Sequence, residues 1–256
     1  MDLKTKAQQI RDELIRVAVK HKQGHIAPSL SCVDILVALH YGVMGLRDTF
    51  ILSKGHGCYG YYAILSDKGY IPNDFFGMMD LPGCVSQQPA LGIQFSTGSL
   101  GMGVAYAVGV AWSKKLTYEC GNVYCVCGDG ELQEGICWEA FQFASHHKLD
   151  NLYFIIDRNK LQAMDFVENI LGGKGDTLTL YRKLTSFGLY TSVVDYGNDP
   201  DNIAQVLNLN HFTDKPVPKA LIANTVKGKG LPYMENIPKW HYRVPAEGGE
   251  IDASNN

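Results

Sequence analysis

VYCVCGDGELQEGICWEAFQFASHHKLDNLYFIIDRN, residues 123–159, reads as strand, helix and strand in turn. Val123 to Cys127 is a short β-rich run that stops at Gly128-Asp129-Gly130. Apolar residues at helical spacing follow from Gly135 to His147, and a second apolar run, Leu152 to Ile156, stops at Asp157-Arg158-Asn159. Such alternation argues for a parallel α/β sheet covered on both faces. Both strands end on polar side chains at the carboxyl edge, where ligands of open α/β sheets bind. The glycines let backbone approach a ligand closely. The helix that follows offers free N–H groups and a positive dipole end, both suited to phosphate.

Outward from this unit the same alternation continues. Residues 2–22 are spaced as an amphipathic helix (Ile10, Leu14, Ile15, Val17, Ala18), and Asp34 to Tyr41 and Gly57 to Lys68 read as two more. Residues 98–114, rich in Gly, Ala and Val, are expected to form a buried helix packed closely on a neighbour. Towards the C-terminus, helices are expected at Tyr181–Thr185 and Asn202–Leu207, and strands at Thr191–Asp195 and Lys219–Asn224. The expectation is a three-layer α/β/α parallel sheet forming a single domain over 1–245, with 246–256 a flexible tail rich in Gly, acid and Asn.

With 256 residues, 46% hydrophobic and 19% charged, the chain has enough apolar material for a large folded domain, not a disordered one. Its 23 basic and 26 acidic residues include no basic run, which argues against nucleic acid as a partner. The charged N-terminus lacks the pattern of a signal peptide, and the longest apolar run, Met102 to Trp112, is far short of a membrane span, so neither membrane nor export is expected. Seven cysteines include no C-x-x-C. The thiols of Cys125 and Cys127 are expected on opposite strand faces, which argues against zinc. Reduced, mostly buried thiols in a cytoplasmic protein are the expectation.

Asp129 and Asn159 are thirty residues apart, room for one helix and one strand, so they should stand side by side at neighbouring strand ends. One carboxylate and one amide oxygen are few ligands for Ca²⁺, but Mg²⁺ accepts few when phosphates complete its octahedron. The chemistry points to a Mg²⁺-diphosphate. The triplet Gly128-Asp129-Gly130 alone also fits a tight turn. An EF-hand loop is excluded by the spacing after Asp129, and Gly128, Gly130 and Gly135 do not make G-x-G-x-x-G.

The segment from Gly128 to Gln162, opening on GDG and closing on D-x-N, resembles the thiamine-diphosphate motif in its transketolase form. Four further segments resemble transketolases in the same order: QGHIAPSLSCVDIL, LSKGHGCYGYYAIL, FSTGSLGMG and TVKGKGLPYMENIPKWH, so the likeness runs from about residue 5 to 245. It implies the diphosphate-module fold. It also implies that Asp129 and Asn159 bind Mg²⁺ (Ca²⁺ or Mn²⁺ as alternatives) through side chains, and Leu161 through its carbonyl. Gly98, Ser99, Leu100, Gly128, Gly130, Glu131 and Lys227 would hold thiamine diphosphate. His25, His56 and His241 match the active-site histidines, with His56 and His241 reaching the diphosphate. Glu134 and Glu139 match glutamates at the subunit contact. His40, His146, His147 and His211 lack such flanks and read as ordinary polar residues, and Gln162 is a candidate support for the metal loop.

The resemblance departs in two ways. Cys84 stands where the family has a donor-contacting histidine, and Gln94 where it has a loop glutamate, so a specialised sugar or sugar-phosphate substrate is expected. The chain also stops after the first domain of the full-length pattern. A separate subunit carrying the pyrimidine and C-terminal domains is therefore expected, in a two-plus-two heterotetramer that moves a ketol or acyl unit to an aldehyde or sugar acceptor. The alternatives are the α subunit of a 2-oxo-acid dehydrogenase and a non-catalytic half-domain.

Overall fold

The computed structural model describes residues 2–22, 24–75, 83–170, 176–210 and 215–243. Among these, five strands form one parallel sheet: β1 (Thr49–Leu52), β2 (Val123–Gly128), β3 (Leu152–Arg158), β4 (Tyr190–Val194) and β5 (Lys219–Asn224), in the order β1-β2-β3-β5-β4. The register sets Gly128 opposite Asp157, and Arg158 opposite Asn224. Residues 129, 159 and 225 therefore leave the sheet at one level, on one edge.

Side chains alternate between two cores, as strand geometry requires. Phe50, Tyr124, Val126, Tyr153, Ile155 and Leu221 share one core with α1 (Leu3–His21), α2 (Ile26–Val37) and α3 (Cys58–Asp67). Ile51, Val123, Phe154, Ile156 and Ile222 share the other with α4 (Met102–Leu116) and α5 (Gly135–His146). A short α6 (Val167–Ile170) precedes α7 (Thr177–Ser186), whose Leu184 joins this second core. The path from β1 to β4 runs one way across the sheet. The return from β4 to β5 reverses it, and right-handed crossover then carries α8 (Pro200–Asn210) to the first face, where Ile203 and Leu207 pack. The three layers expected from sequence are present.

Four differences have physical reasons. β1 has no counterpart among the expected strands, because four residues carry too little periodicity to read. The second helix starts at Ile26, not Asp34: Pro28 lies in its first turn, where no N–H is needed, and all twelve residues are buried. A π-helical turn, Ala38–Val43, extends it. The stretch Ile26–Val43 is long and apolar enough to cross a membrane, with mean hydropathy 1.5, but 78% of it is buried as a core helix. Cys125 and Cys127 lie in the same core, not on opposite faces, because residues two apart on a strand point the same way. Finally, α4 is half-buried: a Cβ on Gly103 would lie 2.5 Å from Ser53 Cα, the close approach expected, yet Tyr106, Trp112 and Leu116 are exposed. The expected tail, 246–256, and His211 lie outside the described residues.

Candidate functional site

Asp129 follows β2, is 8% exposed, and receives two backbone N–H groups, Gly130 at 2.9 Å on Oδ1 and Lys160 at 2.6 Å on Oδ2. The second bond ties it to the Asn159–Leu161 loop after β3, so the expected neighbours are brought together. Asn159 Oδ1 accepts the Leu161 N–H at 3.0 Å. Burial, then the charge of Asp157, pushes the Asp129 carboxyl up to about 6.

The three expected histidines converge. His25 stands at the N-terminus of α2, His56 in the turn after β1, and His241 after the 3₁₀ turn Pro238–Trp240. Ring centroids are 6.0 Å apart for His25 and His56, and 5.5 Å for both His25–His241 and His56–His241. Lys227, 1% exposed, joins this group to the Asn159–Leu161 loop: its Nζ is 2.6 Å from His241 Nδ1 and donates to the carbonyls of Leu161 at 3.2 Å and Gln162 at 3.4 Å. Burial, then the ammonium of Lys54, depresses Lys227 to about 7. Burial, then Lys227, lowers His241 to about 3. His25 and His56 are lowered too, chiefly by burial, so all three rings are neutral near pH 7.

Glu131, expected among the residues that hold the cofactor, turns its carboxylate into the protein. It is 2% exposed and its oxygens face inward, taking hydrogens from Ser53 Oγ, Gly101 N at 2.7 Å and Gly128 N at 3.1 Å. It braces three turns. Gly101 is in the left-handed region, φ 84°, and any Cβ there would strike Ile136, so only glycine suits this end of α4. Gly98 to Leu100 are exposed, and Gly98 packs on both Cys84 and Gly55: added Cβ atoms would lie 3.3 Å from Cys84 Cβ and 2.9 Å from Gly98 N respectively. Gln94 is exposed, and no described contact ties it to the cluster. Glu134, just before α5, and Glu139 on it are exposed, free to meet another chain. His40 is half-buried, packed between the rings of Phe50 and Tyr61, and desolvation drives it down to about 3.

Sequence reasoning missed Lys54 and Asp157, a fully buried ion pair directly behind Asn159. The signal was faint. Lys54 lies between a serine and glycine, where a lysine normally reads as exposed, and Asp157 looks like the ordinary end of a strand.

The residues fit a cation with a diphosphate. Among the described residues no three His, Cys, Asp or Glu side chains gather to hold a metal, so oxygens from a ligand are needed beside Asp129, Asn159 and Leu161. Among the described residues, no cation stands at hydrogen-bond distance from the desolvated Asp129, and buried Gln162 Nε2 and His25 Nδ1 lack partners. Each would be answered by a bound, highly charged ligand.

Residues 19–253 match the family of transketolase thiamine diphosphate binding domains. The chain is 37% identical to one of the named subunits of the apulose-4-phosphate transketolase of Actinobacillus succinogenes, covering 98% of this chain and 94% of that one. It is 32% identical to the 6-deoxy-6-sulfo-D-fructose transketolase subunit SqwG of Clostridium sp., covering 92% and 88%. Against single-chain transketolases it spans about two fifths of their length: 39% of the Pongo abelii protein at 31% identity, and 40% of the Campylobacter jejuni crystal structure at 29% identity and TM-score 0.83. Fold, site and sequence agree that the chain belongs to the transketolase thiamine diphosphate binding domain family.

Proposed function

We propose that this chain is the diphosphate- and Mg²⁺-binding subunit of a two-subunit, thiamine-diphosphate-dependent transketolase. It transfers a two-carbon ketol unit to an aldehyde or sugar acceptor, together with a subunit bearing the pyrimidine-type domain. The observation that carries this is the joining of Asp129 to the Asn159–Leu161 loop through the Lys160 N–H, with Lys227 bridging that loop to His241. A partner is supported by the relatives named as subunits. Exposed Glu134 and Glu139 fit that contact, and an α2β2 assembly follows the pairing of two such subunits. None of the seven cysteines forms a disulfide and five are buried, which supports a reducing cytoplasm.

Asp129, Asn159 and the Leu161 carbonyl would hold the cation, and thiamine diphosphate, when bound, supplies the carbon chemistry that side chains lack. Lys227 answers phosphate charge. With Lys227 charged, its bond to His241 Nδ1 leaves the ring proton on Nε2, making that nitrogen a donor. His25 and His56, neutral and within 6.0 Å of each other, can pass a proton to or from a substrate oxygen. The substrates printed in the relatives' names are a sugar phosphate and a sulfosugar, and Cys84 beside Gly98 supports a specialised sugar here too. No observation favours the 2-oxo-acid dehydrogenase reading or the non-catalytic one. The test is turnover of ketose donors by the chain alone and with its partner. Activity is expected only from the pair, and full activity from the chain alone would sink the two-subunit reading.

A further inference from the structure

Behind the Asn159 side chain lies a group that the proposed mechanism does not use: Ser31, Lys54 and Asp157, each 0% exposed, and Thr225 at 6%. Asp157 is at its centre. Oδ1 takes the Thr225 hydroxyl, while Oδ2 takes the Ser31 hydroxyl at 2.6 Å and the Lys54 ammonium. Lys54 also donates to the Pro28 carbonyl at 2.9 Å and Ser31 Oγ at 3.3 Å. Burial alone would depress Lys54, but Asp157 outweighs it and holds the ammonium charged. The Asn159 amide completes the group. Its Nδ2 lies 3.3 Å from Ser31 Oγ and 3.4 Å from Asp157 Oδ2, and its Oδ1 accepts the Leu161 N–H.

An amide has an oxygen at one end and an NH₂ at the other, and only the oxygen can ligate a hard cation. Both atoms facing Asn159 Nδ2 are acceptors. Ser31 has one hydrogen, with Asp157 Oδ2 at 2.6 Å and the Pro28 carbonyl at 3.0 Å as its acceptors, and it receives one from Lys54, so it offers Asn159 a lone pair. Turned over, the amide would press its oxygen against a carboxylate and its NH₂ against the Leu161 N–H, two repulsive contacts in place of attractive ones. We infer that Asp157, held by Lys54, is the positioning residue that fixes the Asn159 amide and presents its oxygen to the cation. The inference rests on the proposed function and goes past it. It also gives a physical reason for an amide at position 159: a carboxylate there would stand beside Asp157 in a buried site. The Lys54–Asp157 pair is neutral as a unit, which leaves Asp129 as the one uncompensated charge of the ligand set.

The test titrates Mn²⁺, with thiamine diphosphate present, into the full chain in the assembly in which it purifies, read by the paramagnetic signal of free Mn²⁺. Melting without ligand is measured in parallel. Asp157→Asn is expected to weaken Mn²⁺ uptake 10- to 100-fold, the usual cost of losing an outer partner of a metal ligand. Lys54→Met/Asp157→Asn, which strands no buried charge, is expected to show the same loss and keeps the test usable should the single variant unfold. Asn159→Asp should bind Mn²⁺ poorly, and Asp157→Asn/Asn159→Asp should recover much of the affinity, a rescue that a merely structural role would not give. Unchanged affinity in folded Asp157→Asn, or no recovery in the swap, overturns the inference. No Mn²⁺ uptake by the unaltered protein overturns the functional reading itself, a result distinguishable from equal uptake by protein and variant.

Discussion

Lys227 Nζ lies 2.6 Å from His241 Nδ1 while donating to the Leu161 carbonyl at 3.2 Å, so one buried lysine touches both halves of the site. Its pKa, depressed to about 7 by burial and Lys54, has a direct consequence. A diphosphate favours the ammonium, so the cofactor must bring a proton to Lys227 above pH 7 but not below. Cofactor affinity supported by Lys227 therefore falls as pH rises through about 7. The ratio of wild-type to Lys227→Met affinity, which cancels titration of the ligand itself, should fall roughly tenfold between pH 6 and pH 8 by calorimetry. A flat ratio would refute the role.

Asp129 carries the opposite linkage. Its folded pKa, about 6, is above the model-compound value of 3.8, so without ligand the folded chain holds more protons than the unfolded one between these values. Stability then falls as pH rises across that window, by about 3 kcal/mol at most, and the loss persists at pH 7. Asp129→Asn should flatten this decline in urea unfolding while abolishing Mg²⁺-dependent cofactor binding. Asp129→Ala should abolish binding equally. Retained binding in either would remove Asp129 from the ligand set.

Gly55→Ala tests the cofactor loop. The new Cβ would lie 2.8 Å from Thr97 O and 2.9 Å from Gly98 N, both backbone atoms, so the Gly98–Leu100 turn must move. Displacement on that scale should weaken thiamine diphosphate binding by about tenfold or more, with the far-ultraviolet circular dichroism unchanged.

Arg11 and Asp34 form a second buried ion pair at 2.6 Å, 6% and 3% exposed. Asn198 donates to Asp34 at 2.9 Å and accepts the Val226 N–H at 2.8 Å, which ties the pair to the segment carrying Lys227. Asp34→Ala should cost about 3–5 kcal/mol by leaving Arg11 unpaired. The Arg11→Met/Asp34→Ala double variant should cost clearly less than the sum of the single changes, as a denaturation cycle would show.

How far the sequence could be read depended on the kind of signal. The β2-α5-β3 unit was legible because its period changes cleanly from strand to helix to strand, and the thirty residues from Asp129 to Asn159 fixed their adjacency. The histidines were legible through their flanking motifs, since an isolated imidazole such as His40 turned out to pack between two core rings. β1 was lost because TFIL is too short to show alternation, and α2 was begun late because Pro28 reads as a break until its place in the first turn is known. Lys54, Asp157 and the inward turn of Glu131 could not be read at all. Their partners come from distant segments, and nothing local distinguishes a buried charge from an exposed one.

The brace made by Glu131 has a further consequence. Its partners Ser53, Gly101 and Gly128 lie 78, 30 and 3 residues away along the chain. Contacts of such separation close late in folding, after the chain entropy of long loops has been overcome. No fragment ending before residue 131 can hold the turns in place, so a partly folded chain has no cofactor site to offer. Thiamine diphosphate then binds the native state alone, and by mass action every bound molecule draws the folding equilibrium toward completion. Occupancy of the site doubles as a measure of how much of the chain has finished folding.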